Sequence, residues 1–99
     1  MLWAILCFDR PNAANLRAET RARHLAYLEA RKDRVLFAGP LLSDDGQAAE
    51  GSVILVNLAR RAEVEAFARD DPYAAAGLFE RVVIRRSRAV FHEPRAAQE

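Results

Sequence analysis

Few side chains in this sequence can move a proton near neutral pH, and His24 is the one placed to do so. It lies in "RARHLAYL", with Arg21 and Arg17 one and two turns before it. An imidazole titrates close to neutrality, so a histidine facing a pocket could take a proton from a ring hydroxyl, or from a carbon beside a carbonyl, and return it at a leaving position. Taken alone, a helix histidine among arginines is more often a surface group than a base. The arginines would lower its proton affinity unless a carboxylate compensates. They could also hold an anionic substrate such as a phenolate or carboxylate, although a solvated helix face is the plainer reading of both.

A suitable carboxylate stands in "RDDPYAAAGLF", residues 69–79. Asp71 followed by Pro72 is the chemistry of a helix start: the carboxylate accepts from the first turn, and proline fits the first helical position. Gly77, after three alanines, would stop that short helix. A capping carboxylate can still accept a hydrogen bond from an imidazole, which fixes its tautomer and stabilises its charged form, so the two roles are compatible. Asp70 reads as the solvated end of the preceding helix. Tyr73 could donate its hydroxyl to a substrate oxygen, although a buried tyrosine with one hydrogen bond is the commoner outcome. Ser43 reads as a turn residue rather than a nucleophile, because no histidine or acid is placed beside it by local spacing. His92 lies near the tail, no Cys/His/acid cluster has ligand spacing, and no glycine-rich phosphate loop is present, so neither a metal nor a cofactor is expected.

The elements that position these groups must belong to one domain, since the chain has 99 residues. Just over half are hydrophobic and 29% are charged, with a net charge of +1, which is a globular balance with no call for a polyanionic partner. Cys7, the single cysteine, sits in the apolar run "MLWAILCF" and reads as a small buried hydrophobe in a reducing compartment. That run has no cationic segment before it and no small-residue cleavage site after it. Asp9-Arg10-Pro11 then stops it far short of a membrane span, so a soluble, cytoplasmic protein is expected.

"LWAILCF", Leu2 to Phe8, predicts a strand buried on both faces. "LRAETRARHLAYLEARKDR" has no Gly or Pro and predicts a helix over 16–34, with Asn15 as its N-cap and Ala18, Ala22 and Leu25 as its inner stripe. This puts His24 on the flank, at the edge of the core. Val35 to Ala38 predict a second strand, and Gly39-Pro40 a bend or bulge after it. A polar loop, "SDDGQAAEG", leads to a third strand, "SVILVNL". "RRAEVEAFARD" predicts a helix with Val64, Phe67 and Ala68 inward, and "FERVVIRRSRAVF" a last strand with an exposed or bulged portion at its arginines. "HEPRAAQE" reads as a loose tail.

The order βαββαβ predicts an α+β, ferredoxin-like antiparallel four-stranded sheet with both helices on one face. The first and third strands are apolar on both faces, so the uncovered side would be a large apolar patch. A second copy of the chain, sheet facing sheet, is the simplest cover. A ligand-lined sheet would give the same pattern.

"RARHLAYL", "FAGPL", "GSVILV" and "DDPYAAAGLFERVVI", in that order, resemble the YciI-like proteins of the dimeric α/β-barrel superfamily, and the likeness spans essentially the whole chain. The resemblance implies a homodimer with facing sheets and a pocket holding a His-Asp pair, here His24 and Asp71. It reverses the preference for a bystander histidine. Tyr73, Ser43, Gly39 and Pro40 complete the candidate ligand-binding set. The implied chemistry is that of small enzymes acting on aromatic or lactone-like compounds, such as a dehydrochlorinase of chlorinated hydroxyquinols and the muconolactone isomerases. An arginine-rich first helix and a short loop after Ser43 depart from the usual pattern.

Three functions follow: a cofactor-free lyase or isomerase using His24 with Asp71, a non-catalytic dimeric module that binds a small ligand or regulates another enzyme, and RNA binding on the sheet. "RVVIRRSRAVF" lacks the glycine and aromatic pattern of an RNA-recognition strand, and the net charge is small, so nucleic acid ranks last.

Overall fold

The computed structural model describes residues 1–92, and the tail expected to be loose lies almost wholly outside them. The elements are β1 (Leu2–Asp9), α1 (Ala14–Glu29), β2 (Val35–Leu42), β3 (Ala49–Asn57), α2 (Arg61–Asp70), α3 (Pro72–Ala75) and β4 (Phe79–Ser87). All strand pairs are antiparallel, in the order β2-β3-β1-β4, so the chain has the ferredoxin-like α+β fold that its element order predicts.

Period-two alternation sorts the central strands cleanly. Trp3, Ile5 and Cys7 of β1 pair with Val56, Ile54 and Ser52 of β3, and all six are buried on the helix side. Val64, Phe67 and Ala68 of α2 close this core, as their spacing predicts. The interleaved residues form the other face: Leu6 pairs with Val53 on one side and Val83 on the other, and Ala4 pairs with Leu55. These open-face side chains are only half-buried, and Phe37 on β2 is exposed. Among the described residues, no helix is long and apolar enough to cross a membrane.

Several boundaries differ from expectation for physical reasons. β2 runs on through Gly39-Pro40 to Leu42 instead of ending at Ala38, because it is an edge strand where proline's missing donor is tolerated. The disruption falls instead on either side, with register shifts at Val35/Phe37 and Leu41/Leu42. β3 starts at Ala49 rather than Ser52, and Gly51 has to be glycine there, since a Cβ would be driven into the Cys7 carbonyl. α1 starts at Ala14 with Ala13 as its N-cap and no side-chain cap. Asn15, expected as the N-cap, falls inside the first turn, and Asn12, in the left-handed region, lies in the turn before the helix. It ends at Glu29 because the backbone then tightens through Arg31–Leu28 and Arg34–Arg31 bonds, which places the Arg34 carbonyl where it accepts from the Asn57 N–H.

The largest departure is the face that α1 turns inward. Arg17, Thr20 and His24 are its buried residues, while Ala18, Ala22 and Leu25 are exposed. Only Tyr27 and Leu28, near its end, pack against the apolar core. Choosing the inner stripe by hydrophobicity alone therefore gave the wrong face.

Candidate active site

Asp71 is fixed first by the chain around it. It caps α3, and its Oδ1 accepts from the Tyr73 N–H at 2.9 Å, with Pro72 at the first helical position. Gly77 at φ +80° ends the helix, where the Leu78 N–H reaches the Tyr73 carbonyl at 3.1 Å and the Gly77 N–H the Ala74 carbonyl at 3.0 Å. A single turn of helix is thus clamped at both ends, which holds the Asp71 carboxylate at a fixed point against α1.

His24 meets it there. Its Nδ1 lies 2.8 Å from Oδ1 and 3.0 Å from Oδ2, and both side chains are buried. A carboxylate only accepts, so Nδ1 carries a proton, and in the neutral ring Nε2 then keeps its lone pair. The imidazole stacks on Tyr73, ring centroids 4.0 Å apart and 21° from parallel. Phe79 meets the Tyr73 ring edge-on, and the Arg17 guanidinium carbon lies over that ring, 4.6 Å from its centroid. Histidine, tyrosine and guanidinium so form one column, and His24 is inside the packing rather than at its edge.

Arg17 is itself locked. Nε and Nη2 donate to the two Asp9 carboxylate oxygens at 2.7 and 2.8 Å, and Nη2 also reaches Ser52 Oγ at 3.1 Å. Asp9 continues the inward series Trp3, Ile5, Cys7, and β1 shifts register against β4 between Phe8 and Asp9. Burial works against the Arg17 cation, but its bonding and attraction to Asp9 outweigh that and hold its pKa above the usual arginine value. Arg17 is therefore not the solvated residue that its neighbours in sequence suggest. Burial also pushes the Tyr73 phenol up, against the opposing pull of Arg17 and Arg21, so its hydroxyl keeps its proton at neutral pH.

These groups open onto a cavity of about 530 Å³ between α1 and the β2–β3 side of the sheet. His24, Tyr73, Arg17, Arg21, Gly39 and Pro40 stand on its wall. Ser43 does not: its hydroxyl donates to Asp45 Oδ1 at 2.7 Å and accepts from the Ala48 N–H at 3.0 Å, which commits it to closing the β2–β3 turn. Ser52, on the wall and bonded to Arg17, is the hydroxyl that the sequence reading passed over in favour of Ser43. The missed pair, Asp9 and Ser52, could have been found by extending the period-two pattern of β1 and β3 to their ends.

A family model for the YCII-related domain matches residues 1–88. A protein from Escherichia coli named YciI is 34% identical over 98 residues, covering 92% of this chain and all of that one. The solved structure of 5-chloro-2-hydroxyhydroquinone dehydrochlorinase from Burkholderia phenoliruptrix AC1100, in complex with 2,5-dihydroxybenzoquinone, superposes with a TM-score of 0.82 at 34% identity, covering 89% of this chain and 94% of that one. An antibiotic biosynthesis monooxygenase structure matches in fold alone, with a TM-score of 0.51 at 13% identity over 90% of this chain and 100% of that one. With a family match across all seven elements, and a relative this similar from end to end, the chain belongs to the YCII-related family.

Proposed function

We propose that this protein is a small, cofactor-independent enzyme carrying out lyase- or isomerase-type acid–base chemistry on a hydroxylated aromatic or lactone-like compound. His24 transfers the proton and Asp71 orients it. The observation that carries this reading is the buried Nδ1 contact to Asp71, 2.8 Å long, on a histidine that lines a 530 Å³ cavity. The pairing leaves Nε2 as the base for a ligand, and as the acid once it holds the proton. Tyr73, whose hydroxyl stays protonated, serves as a donor to a substrate oxygen. Gly39 and Pro40 bound the space opposite α1.

The dehydrochlorinase likeness supports a substrate of this kind. For a chlorinated hydroxyhydroquinone, moving a hydroxyl proton onto the chlorine-bearing carbon gives a keto tautomer. Chloride then departs with the C–Cl electron pair, and loss of a second hydroxyl proton leaves a quinone. The product is the substrate less HCl, so the balance needs a mobile proton and no oxidant.

The working form in this proposal is a homodimer with the open sheet faces packed together. Leu6, Val53, Leu55 and Phe37 support it, as an apolar face that the helices leave uncovered.

The test is chloride release and quinone absorbance from 5-chloro-2-hydroxyhydroquinone under anaerobic conditions, with wild type and His24→Gln compared. General acid–base groups contribute ~10²–10⁴-fold, so the variant is expected to lose at least that range's lower end while still binding 2,5-dihydroxybenzoquinone. Equal rates would remove His24 from the chemistry. Binding by wild type with no turnover of this or related hydroxyquinols would favour the ligand-binding module instead.

A further inference from the structure

The cavity wall is electrically one-sided. Arg17, Arg21 and His24 stand on it along α1, while no aspartate or glutamate among the described residues does. Two carboxylates that do not line the wall bond to it, Asp9 to Arg17 and Asp71 to His24. Arg17 is thereby ion-paired, though its guanidinium stays charged. Arg21 is exposed and makes no ion pair with any of the described residues. Like charges four residues apart on a helix repel, so Arg21 is held beside Arg17 with no ion-pair partner among the described residues. Its field reaches into the cavity, since Arg21 is one of the two cations that draw the Tyr73 phenol downward.

Chain order then makes a gradient of the wall. Ala14 and Ala18 leave open space beside the two guanidiniums, His24 follows, and Leu25, Leu28 and Ala38 make the far end apolar. A flat ring fits the apolar end under His24, and an anionic group on that ring fits the cationic end.

We infer that the cavity selects an anionic aromatic, a single ring bearing a carboxylate or phenolate away from the position His24 acts on, and that Arg21 is the residue that reads this charge. The inference rests on the cavity being the ligand site of the proposed function. Side chains three residues apart leave a helix about 5–6 Å from one another, which suits groups across a six-membered ring better than groups on adjacent carbons. The buried guanidinium of Arg17 sets the local potential and holds Tyr73, while the exposed one of Arg21 remains free to bond bidentately to a carboxylate.

The test compares 4-hydroxybenzoate with 4-hydroxybenzamide, matched in size and different in charge, by NMR titration of the backbone amides of the full chain. Wild type is expected to bind the acid about tenfold more tightly than the amide, the preference collapsing in Arg21→Gln and returning in part in Arg21→Lys. Three outcomes would overturn it: equal binding of acid and amide, a preference that survives Arg21→Gln, or no binding of either at millimolar concentration. Turnover does not enter this measurement. A chain that binds the acid selectively but turns over nothing loses the catalytic reading and keeps this one.

Discussion

Replacing Asp71 by asparagine and by alanine separates the two jobs this side chain holds. As a cap it accepts from the Tyr73 N–H, and as a partner it accepts from His24 Nδ1, with Oδ1 shared between them. Alanine removes both. Losing the cap costs ~1 kcal/mol, and stranding the buried Nδ1–H costs ~1–3 kcal/mol more, a total near 2–4 kcal/mol. Each kcal/mol is worth about 4–8 °C of Tm in a domain of this size, so the alanine variant melts well below wild type. Asparagine keeps a carbonyl oxygen in nearly the same place, so it stays within about 1 kcal/mol of wild type. It loses the charge that stabilises an imidazolium, and its amide can donate to Nδ1 and select the wrong tautomer. Activity is therefore expected to fall by ~10²–10⁴-fold in a variant that folds normally. Urea denaturation, turnover and the imidazole ¹⁵N shifts of His24 would be measured on all three proteins. An asparagine variant with unchanged turnover and an unchanged tautomer would reduce Asp71 to a helix cap and sink the dyad.

Two further expectations follow from the sheet. Ile5 and Ile54 pair directly and both point into the helix-covered core, so Ile5→Lys should unfold the chain, whereas Leu6→Lys, one residue on, should leave circular dichroism intact and convert a dimer to a monomer in sedimentation. A folded Leu6→Lys protein that stays dimeric, or a monomeric wild type at high concentration, would refute the facing-sheet arrangement. Burial, with the nearby Asp71 second, pushes the Cys7 thiol up to about 12 from 9.0. The folded chain then keeps a proton that the unfolded chain loses, so this group adds no slope below pH 9.0 and makes stability fall as pH rises from 9.0 towards 12. Native protein should ignore a disulfide reagent at pH 8 and react only as it unfolds, and Cys7→Ala should flatten the alkaline slope. Rapid labelling of the native chain would contradict it.

The fold was legible wherever burial and hydrophobicity agree. Trp3, Ile5 and Cys7 alternate inward, Val64, Phe67 and Ala68 recur at helical spacing, and the short helix between Asp71 and Gly77 carries its own start and stop signals. α1 escaped the same logic because its inward face is polar. A wheel drawn for apolar residues selects Ala18, Ala22 and Leu25, which face the cavity or solvent, and so sets His24 at the margin. Arg17 was misread for the same reason. Nothing local to it announces a buried guanidinium, since its partners Asp9 and Ser52 come from two other strands and are 8 and 35 residues away. The His24–Asp71 contact spans 47 residues, and only the family resemblance brought the two together in advance.

That polar face has a consequence for how the molecule is held together. α1 supplies only its last turn, Tyr27 and Leu28, to the apolar core, and its buried interior otherwise consists of Arg17, Thr20 and His24. Thr20 Oγ1 has no hydrogen-bond partner among the described residues. Replacing those three by well-packed aliphatic residues would remove desolvation costs of the kind that make buried ion pairs a weak source of stability. The helix is thus built for the site, and stability has to come from the sheet. The core rows Ala38–Ile54–Ile5–Ile84 supply part of it on the helix side. On the opposite side, Leu6, Val53, Val83 and Leu55 hold apolar area that the single chain leaves half in water, at about 25 cal/mol per Å² once covered. In the proposed dimer this area offsets what α1 gives up, and assembly and site are coupled through energy rather than contact, because the cavity opens on the helix side. Substitutions that separate the subunits should then lower the denaturation midpoint of the site residues together with that of the sheet, while leaving the His24–Asp71 geometry intact in whatever monomer remains folded.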